Sequence, residues 1–280
     1  MEIGAFLCDY MYDMEKYGFK DVYDAVKIGV EHGITAIDLS CPYLLRGEFV
    51  PETLSENLKK CGAHITSAHH AVRCDYTSNE SVDKGVQEMK AAMRLAKRAG
   101  APNFMIVFCP VDEEDYSIKE QFKAQVRRVM PELVSYAKEL SLTPTIEDYS
   151  TLLYPYSTFD DIGWLLTNNP DLMFNYDSGN FGLSLIDELE GAKLFANRTV
   201  HIHLKDLVKS DKEGLFLREG TYYDSVALGK GYLKNEEALK VMKNAGYDGA
   251  VIIEVCPPKD DMFAEVLESA KYLKELFDRI

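Results

Sequence analysis

Residues 199–206, Thr-Val-His-Ile-His-Leu-Lys-Asp, place two histidines and a lysine at alternate positions of one short segment. This alternation is typical of a buried β-strand and places His201, His203 and Lys205 on the same face. Burying two imidazoles and an ammonium group costs free energy unless a ligand, a metal or a hydrogen-bond network compensates for it. The segment therefore either carries chemistry itself or supports chemistry beside it.

Three carboxylates stand at corresponding places in other strand-like segments. Glu147 ends Thr-Ile-Glu, Asp177 ends Phe-Asn-Tyr-Asp, and Glu254 follows Val-Ile-Ile. Neighbouring strands lie about 4.8 Å apart, so these residues and His203, on four consecutive strands, can form an arc around one ion. Three carboxylates and one imidazole suit Mn²⁺ or Mg²⁺, and also Co²⁺ or Zn²⁺. The simpler alternative for any single one of them is a hydrogen bond to a neighbouring loop.

Strand-like and helix-like segments alternate along the whole chain. The predicted strands are residues 2–8, 34–40, 64–71, 103–109, 143–148, 172–177, 199–205 and 250–255. The predicted helices are residues 19–33, 51–62, 81–100, 118–140, 159–168, 183–196, 235–245 and 261–280. Pro131 falls inside the fourth helix, where it favours a kink. Residues 208–232 are predicted to form a long loop.

Eight βα units in strict alternation predict an α/β fold, a (β/α)8 TIM barrel that forms a single domain over residues 1–280. A doubly wound open sheet is the structural alternative. Against it, no Gly-x-Gly-x-x-Gly follows the first strand, and the phosphate-binding pattern Gly-x-x-x-x-Gly-Lys-Ser/Thr does not occur. Barrels of this kind carry their active sites at the carboxyl ends of the strands, where the four donor residues are predicted to lie.

Composition narrows the function classes. The formal net charge of −15 argues against a nucleic-acid partner, whose phosphates need Lys and Arg, but it leaves a small anionic substrate open. The six cysteines show no Cys-x-x-Cys spacing, which is typical of a reducing compartment. No apolar run approaches the roughly 20 residues of a membrane span, and the first residues do not form a basic leader. We therefore expect a cytoplasmic protein without a membrane partner.

Seven motifs occur in order along most of the chain: Ser67-Ala68-His69, Ile146-Glu147-Asp148, Asp177-Ser178-Gly179-Asn180, Val200-His201-Ile202-His203-Leu204-Lys205-Asp206, Leu228-Gly229-Lys230-Gly231, Gly246-Tyr247-Asp248-Gly249 and Ile253-Glu254. Together they make the chain resemble the xylose isomerase-like TIM barrels, a group of sugar and sugar-phosphate isomerases and epimerases. The motifs are specific for this superfamily and not for one substrate.

The resemblance implies that Glu147, Asp177, His203 and Glu254 bind one divalent metal ion, for which we expect Mn²⁺. It also implies that Glu147 and Glu254 face each other across a bound sugar and act as its acid/base pair. His201 lies one pleat deeper than His203, so we expect it to support the site without binding the metal.

Four residues are candidate substrate contacts: His69, Asn180, Lys205 and Arg218. His69 and Arg218 fall where the family often places substrate-binding residues. Asn180 stands where family epimerases acting on free ketoses commonly carry a histidine, and Lys230 separates two glycines where many relatives have an acidic residue. Lys205 can meet a substrate oxygen, although an ammonium group reaching the solvent at the rim is the alternative.

This site predicts a metal-dependent isomerase or epimerase of a ketose, a ketose phosphate or a related hydroxy-carbonyl compound, working through an enediolate. The second hypothesis is a lyase that dehydrates a cyclic polyol ketone of the inosose or dehydroshikimate type, which shares the first proton abstraction. An apurinic endonuclease-like activity would need more metal ligands and a basic face. A non-catalytic sugar-binding subunit is the fourth hypothesis. Many barrel isomerases form homodimers or homotetramers, so an oligomer is also expected.

Overall fold

Eight parallel strands close into a barrel in the computed structural model of the chain, which describes residues 1–211, 213–256 and 261–280. In chain order the strands are β1 (Glu2–Phe6), β2 (Ile34–Ser40), β3 (His64–Cys74), β4 (Asn103–Pro110), β5 (Thr143–Glu147), β6 (Met173–Asp177), β7 (Thr199–Leu204), β8 (Asp206–Ser210), β9 (Phe216–Arg218), β10 (Thr221–Val226) and β11 (Ala250–Ile253). The order around the barrel is β1-β11-β7-β6-β5-β4-β3-β2. The predicted barrel is confirmed.

Helices follow the strands, and the longer ones pack on the outside of the barrel. They are α1 (Asp9–Tyr12), α2 (Met14–Tyr17), α3 (Val22–Glu31), α4 (Pro42–Leu45), α5 (Pro51–Cys61), α6 (Asn79–Arg98), α7 (Lys119–Glu139), α8 (Phe159–Asn168), α9 (Ser178–Leu183), α10 (Glu188–Phe195), α11 (Asn235–Asn244) and α12 (Met262–Phe277). The predicted helix over residues 183–196 in fact begins five residues later, after a turn in which Leu185 has a φ of 56°. Within the described ranges, no helix is long and apolar enough to cross a bilayer.

A small antiparallel sheet occupies most of the interval predicted as a long loop. Strands β8, β10 and β9 pair in that order, and we call this sheet the flap. Its inner face packs Leu207 and Tyr223 against Leu183 and Leu233. The loop prediction is therefore wrong for residues 208–210, 216–218 and 221–226, which form strands, and residue 212 lies outside the described ranges. Burial alternates along β10, with Tyr223 and Ser225 buried, but its sequence Thr-Tyr-Tyr-Asp-Ser-Val shows no alternation of apolar and polar residues that could have predicted the strand.

The barrel core is built from apolar strand residues and the inner faces of the helices. Strand β4 is buried at every position after Asn103, as expected for a parallel strand covered on both faces. Helix α7 continues through Pro131 as one element. This rigid frame fixes the carboxyl ends of β5, β6, β7 and β11 at one mouth of the barrel, where the candidate site lies.

Gly4 shows how closely the strands approach one another inside the barrel. A Cβ atom added there would lie 2.7 Å from the carbonyl oxygen of Ala36 and 2.8 Å from its Cβ, whereas one added at Gly163 in α8 would meet nothing within 4 Å. We predict that Gly4→Ala lowers the free energy of unfolding by about 1–3 kcal/mol. Gly163→Ala, the matched control, should raise it by about 0.5–1 kcal/mol because alanine favours the helix. Urea unfolding of the two variants measures both values; equal effects would contradict the tight approach at Gly4.

Candidate metal centre and active site

Four side chains from the carboxyl ends of β5, β6, β7 and β11 converge at the mouth of the barrel. Glu147 and Asp177 end their strands, His203 is the penultimate residue of β7, and Glu254 follows β11 directly. One donor atom from each residue lies within 4.8 Å of the others. Nδ1 of His203 is 2.5 Å from Oε1 of Glu147 and 3.4 Å from Oε2 of Glu254. Because β6 and β7 separate β5 from β11, the two glutamates stand at opposite ends of this arc.

The carboxylate of Asp38, on β2, accepts hydrogen bonds from three histidines. The donors are Nε2 of His201 at 3.0 Å, Nε2 of His203 at 3.1 Å and Nδ1 of His69 at 2.8 Å. Burial opposes ionisation of Asp38, but the three imidazoles hold its pKa well below the usual range. Because an ionised carboxylate only accepts, Asp38 keeps a hydrogen on Nε2 of His203 and directs Nδ1 toward the acidic residues.

Lys205 is buried, and its ammonium group contacts two of the carboxylates. Its partners are Asp177 and, at 2.8 Å, Oε1 of Glu254. The alternative of a solvent-exposed ammonium group at the rim is therefore wrong. Gly179 makes room for this side chain, since a Cβ there would lie 2.8 Å from Cγ of Lys205. Oδ1 of Asp177 accepts from the backbone N–H groups of Gly179 at 2.7 Å and Asn180 at 3.1 Å, which turns Oδ2 toward Lys205.

Two buried amides hold Glu147. Nδ2 of Asn180 donates to Oε2 of Glu147 at 3.3 Å and to the carbonyl oxygen of Asp148 at 2.9 Å. Nδ2 of Asn175 donates to Oε1 of Glu147. Sequence reasoning missed Asn175, although its position two residues before Asp177 places it on the same face of β6, which is the signal that could have identified it.

The charges in this cluster shift one another's ionisation. Burial raises the pKa of Asp177 to about 7; Lys205 opposes this shift, whereas the charges of Glu254 and Glu147 add to it. Burial alone would raise the pKa of Glu254, but Lys205 and His203 lower it to about 2. The carboxylates thus depend on positive charge held among them.

The donor set fits one divalent metal ion. Carboxylate oxygens and an imidazole nitrogen are ligands for Mn²⁺, Mg²⁺, Co²⁺ and Zn²⁺. Two ligands of one ion lie at most about 4.4 Å apart at bond lengths of about 2.0–2.2 Å, so donor atoms within 4.8 Å of one another need to move by only a few tenths of an ångström to share one centre. A cation there would also relieve the repulsion that raises the pKa of Asp177. A second cluster, formed by Asp38, His201 and His203, is already joined by its own hydrogen bonds and needs no ion.

A cavity of about 380 Å³, within the size range of small-molecule sites, is lined by Glu147, His203 and Glu254. Asp177 is buried and is not one of its lining residues. Phe216 of the flap and Tyr149, from the segment after β5, form part of its wall. Its described polar and ionisable lining residues are Cys8, Asp9, Tyr12, His69, Glu147, Tyr149, Ser150, Asn180, His203, Lys205, Glu254 and Cys256. The cavity can therefore hold a small polar ligand against Glu147, His203 and Glu254.

Of the candidate substrate contacts, His69, Asn180 and Lys205 line this cavity, whereas Arg218 does not. Nε of Arg218 donates to the carbonyl oxygens of Ser150 at 3.2 Å and Leu183 at 3.1 Å. It lines a neighbouring cavity of about 320 Å³, which shares Ser150 and Leu183 with the first. In this conformation Arg218 ties the flap to the segments after β5 and β6, and its contact with a substrate stays a prediction.

Two further polar residues of the seven motifs, His201 and Asp206, hold the surroundings of the site. His201 is buried, does not line the cavity and contacts Asp38. Asp206 accepts hydrogen bonds from the N–H groups of Gly229, Gly231 and Leu233 at 2.9–3.2 Å, so it holds the Leu-Gly-Lys-Gly turn beneath the flap. Both residues therefore position other parts of the structure.

A closed parallel barrel with acidic and imidazole donors at its carboxyl end defines a class of α/β barrels that bind their ligands at this mouth. The sequence profile described as xylose isomerase-like TIM barrel matches residues 26–276. The chain belongs to the xylose isomerase-like TIM barrel family, which confirms the predicted family and fold.

The known proteins similar to this chain include an inosose dehydratase and a sugar epimerase. An inosose dehydratase of Clostridium perfringens (strain ATCC 13124) is 28% identical over 181 residues, which span 59% of this chain and only 59% of that protein. The IolI protein with a bound zinc atom superimposes with a TM-score of 0.78 at 17% identity, covering 100% of this chain and 99% of that one. A D-allulose 3-epimerase from Methylomonas sp. gives a TM-score of 0.75 at 15% identity and covers 99% and 98%. The two structural likenesses show the shared fold.

Asp38 offers a test of how the histidines are held. We predict that Asp38→Asn weakens Mn²⁺ binding about 10–100-fold, because the amide carries no charge and no longer fixes the hydrogen on Nε2 of His203. Isothermal titration of the metal-free protein with Mn²⁺ measures this loss. Asp160→Asn, which removes a charge from an exposed position in α8, is the control. Unchanged affinity in a folded Asp38→Asn protein would contradict the role of Asp38.

Proposed function

We propose that this protein is a divalent-metal-dependent enzyme that removes the proton beside the carbonyl of a sugar or a related polyhydroxy carbonyl compound. The observation that carries the proposal is the convergence of Glu147, Asp177, His203 and Glu254 within 4.8 Å under a cavity of about 380 Å³. We place isomerisation or epimerisation first, since a glutamate at each end of the arc gives one group to take a proton and another to return it.

Glu147, Asp177, His203 and Glu254 would hold the metal, which we propose to be Mn²⁺, with Mg²⁺, Co²⁺ and Zn²⁺ as alternatives. When bound, such an ion polarises a carbonyl and stabilises the negative charge of an enediolate. The IolI protein, which shares the fold, binds zinc. The preference for Mn²⁺ rests on the three carboxylates, because oxygen ligands suit a hard cation.

The protein's own residues can perform the proton transfers. Asn175 and Asn180 hold the carboxylate of Glu147, and Lys205 holds that of Glu254, so each base has a fixed position. One glutamate takes the α-proton as the C–H bond breaks and the enediolate forms. The other, after taking a proton from solvent, delivers it to the opposite face, which inverts that carbon. To move the carbonyl, it delivers the proton to the neighbouring carbon while the hydroxyl proton of the first carbon passes to the former carbonyl oxygen.

Dehydration is the second candidate, and a specific contact favours it. Nδ1 of His69 donates to Asp38 while His69 lines the cavity, an arrangement that lets an imidazole serve as an additional acid. After a glutamate has taken the α-proton, His69 can protonate the β-hydroxyl as its C–O bond breaks, and water leaves. The similarity to an inosose dehydratase also supports dehydration as the second candidate.

We predict that Glu147→Gln and Glu254→Gln each reduce turnover at least about 1000-fold while the fold is kept, because an amide cannot accept the α-proton. Turnover of ketoses and inososes by the Mn²⁺-loaded variants measures the loss, and circular dichroism checks the fold. Glu56→Gln, on the exposed face of α5, is the matched control. Near-normal turnover in either site variant would remove that glutamate from the mechanism.

The two reactions differ in their products and in their need for His69. In H2O an isomerase or epimerase gives a product of unchanged mass, whereas a lyase gives a product lighter by one water. In D2O the product of the isomerase or epimerase carries deuterium. For the isomerase we predict an unchanged mass and a loss below about tenfold in His69→Asn. Loss of water by the natural protein, abolished in His69→Asn, would establish dehydration instead. Mass spectrometry of the reaction mixture distinguishes the two outcomes.

A further inference from the structure

Asp9 places a carboxyl group in the cavity that the proposed chemistry leaves unused. It is the first residue of α1, three residues after β1. The parallel pairing of β1 with β11, with Ala5 opposite Ile253, brings the end of β1 next to Glu254. Asp9 is 4% exposed, and it lines the cavity together with Tyr12 and Cys8. It therefore forms the wall beside one of the two glutamates.

The Asp9 side chain lacks the partners that a buried carboxyl group normally has. Its Oδ1 accepts only a long contact from the thiol of Cys8 at 3.8 Å, and its Oδ2 has no hydrogen-bond partner among the described residues. It neither caps α1 nor pairs with a described cation. A buried polar group without a partner costs free energy, so its retention on a cavity wall needs an explanation.

We propose that Asp9 is a specificity-determining residue that hydrogen-bonds a hydroxyl group of the substrate, and that the substrate is an uncharged polyhydroxy carbonyl compound. This inference rests on the proposed function, whose carbonyl-binding end would lie over the four donor residues. Asp9 then accepts a hydrogen bond from a hydroxyl group on the part of the substrate that reaches the cavity wall beside Glu254. A carboxyl oxygen accepts a hydrogen bond from such a hydroxyl and thereby gains its missing partner.

The charged groups of the cavity favour an uncharged ligand over a phosphorylated one. Phosphate recognition relies on arginine or lysine groups that are free to donate charge-assisted hydrogen bonds. The described lining contains no arginine, and its one lysine, Lys205, already contacts Asp177 and Glu254. Arg218 is directed to two backbone carbonyls outside this cavity.

The test compares Asp9→Leu and Asp9→Asn with the natural protein, all loaded with Mn²⁺. The probes are D-fructose, D-tagatose, scyllo-inosose and D-fructose 6-phosphate. We expect the natural protein to turn over an uncharged probe at least about tenfold more efficiently than the phosphate. Asp9→Leu should lower kcat/KM for that probe about tenfold or more, mainly through KM, and Asp9→Asn less, because its amide oxygen still accepts. Glu15→Gln, which removes an exposed charge from α2, should match the natural protein.

A stability measurement separates this role from a structural one. Replacing an unpartnered buried carboxyl with leucine should raise the midpoint of thermal unfolding in the absence of substrate, because it removes a buried polar group that has no hydrogen-bond partner. Residues that serve binding often lower the stability of the fold in this way. A residue kept for the fold would show the opposite shift. Asp9→Leu with an unchanged KM, or with a lowered unfolding midpoint, would overturn the proposal, as would preferred turnover of the phosphate.

The outcome for Asp9 stays distinct from that for the enzyme activity. If the natural protein turns over none of the probes, the proposed function fails for these compounds, and binding of the same probes is measured by isothermal titration. Weaker binding of an uncharged probe to Asp9→Leu than to Glu15→Gln would then support Asp9 as a hydroxyl-binding residue. Equal affinities, or binding to neither protein, would overturn it.

Discussion

The carboxylates of Glu147, Asp177 and Glu254 repel one another because they converge within 4.8 Å at the ends of buried strands, where water screens charge poorly. Much of the surrounding structure compensates for this repulsion. Lys205 brings an ammonium group to two of the carboxylates, and His203 lies against the third. Because the residues that could hold a cation are also the residues that could move a proton, charge compensation and catalysis depend on the same few contacts.

Support for this cluster comes from the whole circumference of the barrel. Asp38, on β2, reaches across to His203 and His201 on β7 and also holds His69 on β3. A shift in β2 would therefore alter both the nitrogen that faces the carboxylates and the imidazole that faces the cavity. The flap depends on the same strand ends, since Asp206, two residues after Leu204, fixes the turn that follows β10.

Much of the fold and the core of the site could be predicted from the sequence because both follow local patterns. Apolar runs between amphipathic helices predicted the eight barrel strands, and acidic residues late in those strands predicted where Glu147, Asp177 and Glu254 would meet. The three-histidine contact of Asp38 joins strands far apart in the chain, so no local pattern reports it. Asp9 and Arg218 depend on how the segments after the strands turn, which alternation does not specify. The flap was missed because its short strands resemble a polar loop.

The proposed function depends first on the binding of one divalent ion by Glu147, Asp177, His203 and Glu254. Anomalous diffraction from crystals soaked in Mn²⁺, with data collected on both sides of the manganese absorption edge, tests it most directly. We predict one peak per chain, surrounded by these four side chains, and no peak in crystals of Asp177→Ala. A peak bound instead by Asp38, His201 and His203, or no peak at saturating Mn²⁺, would contradict it.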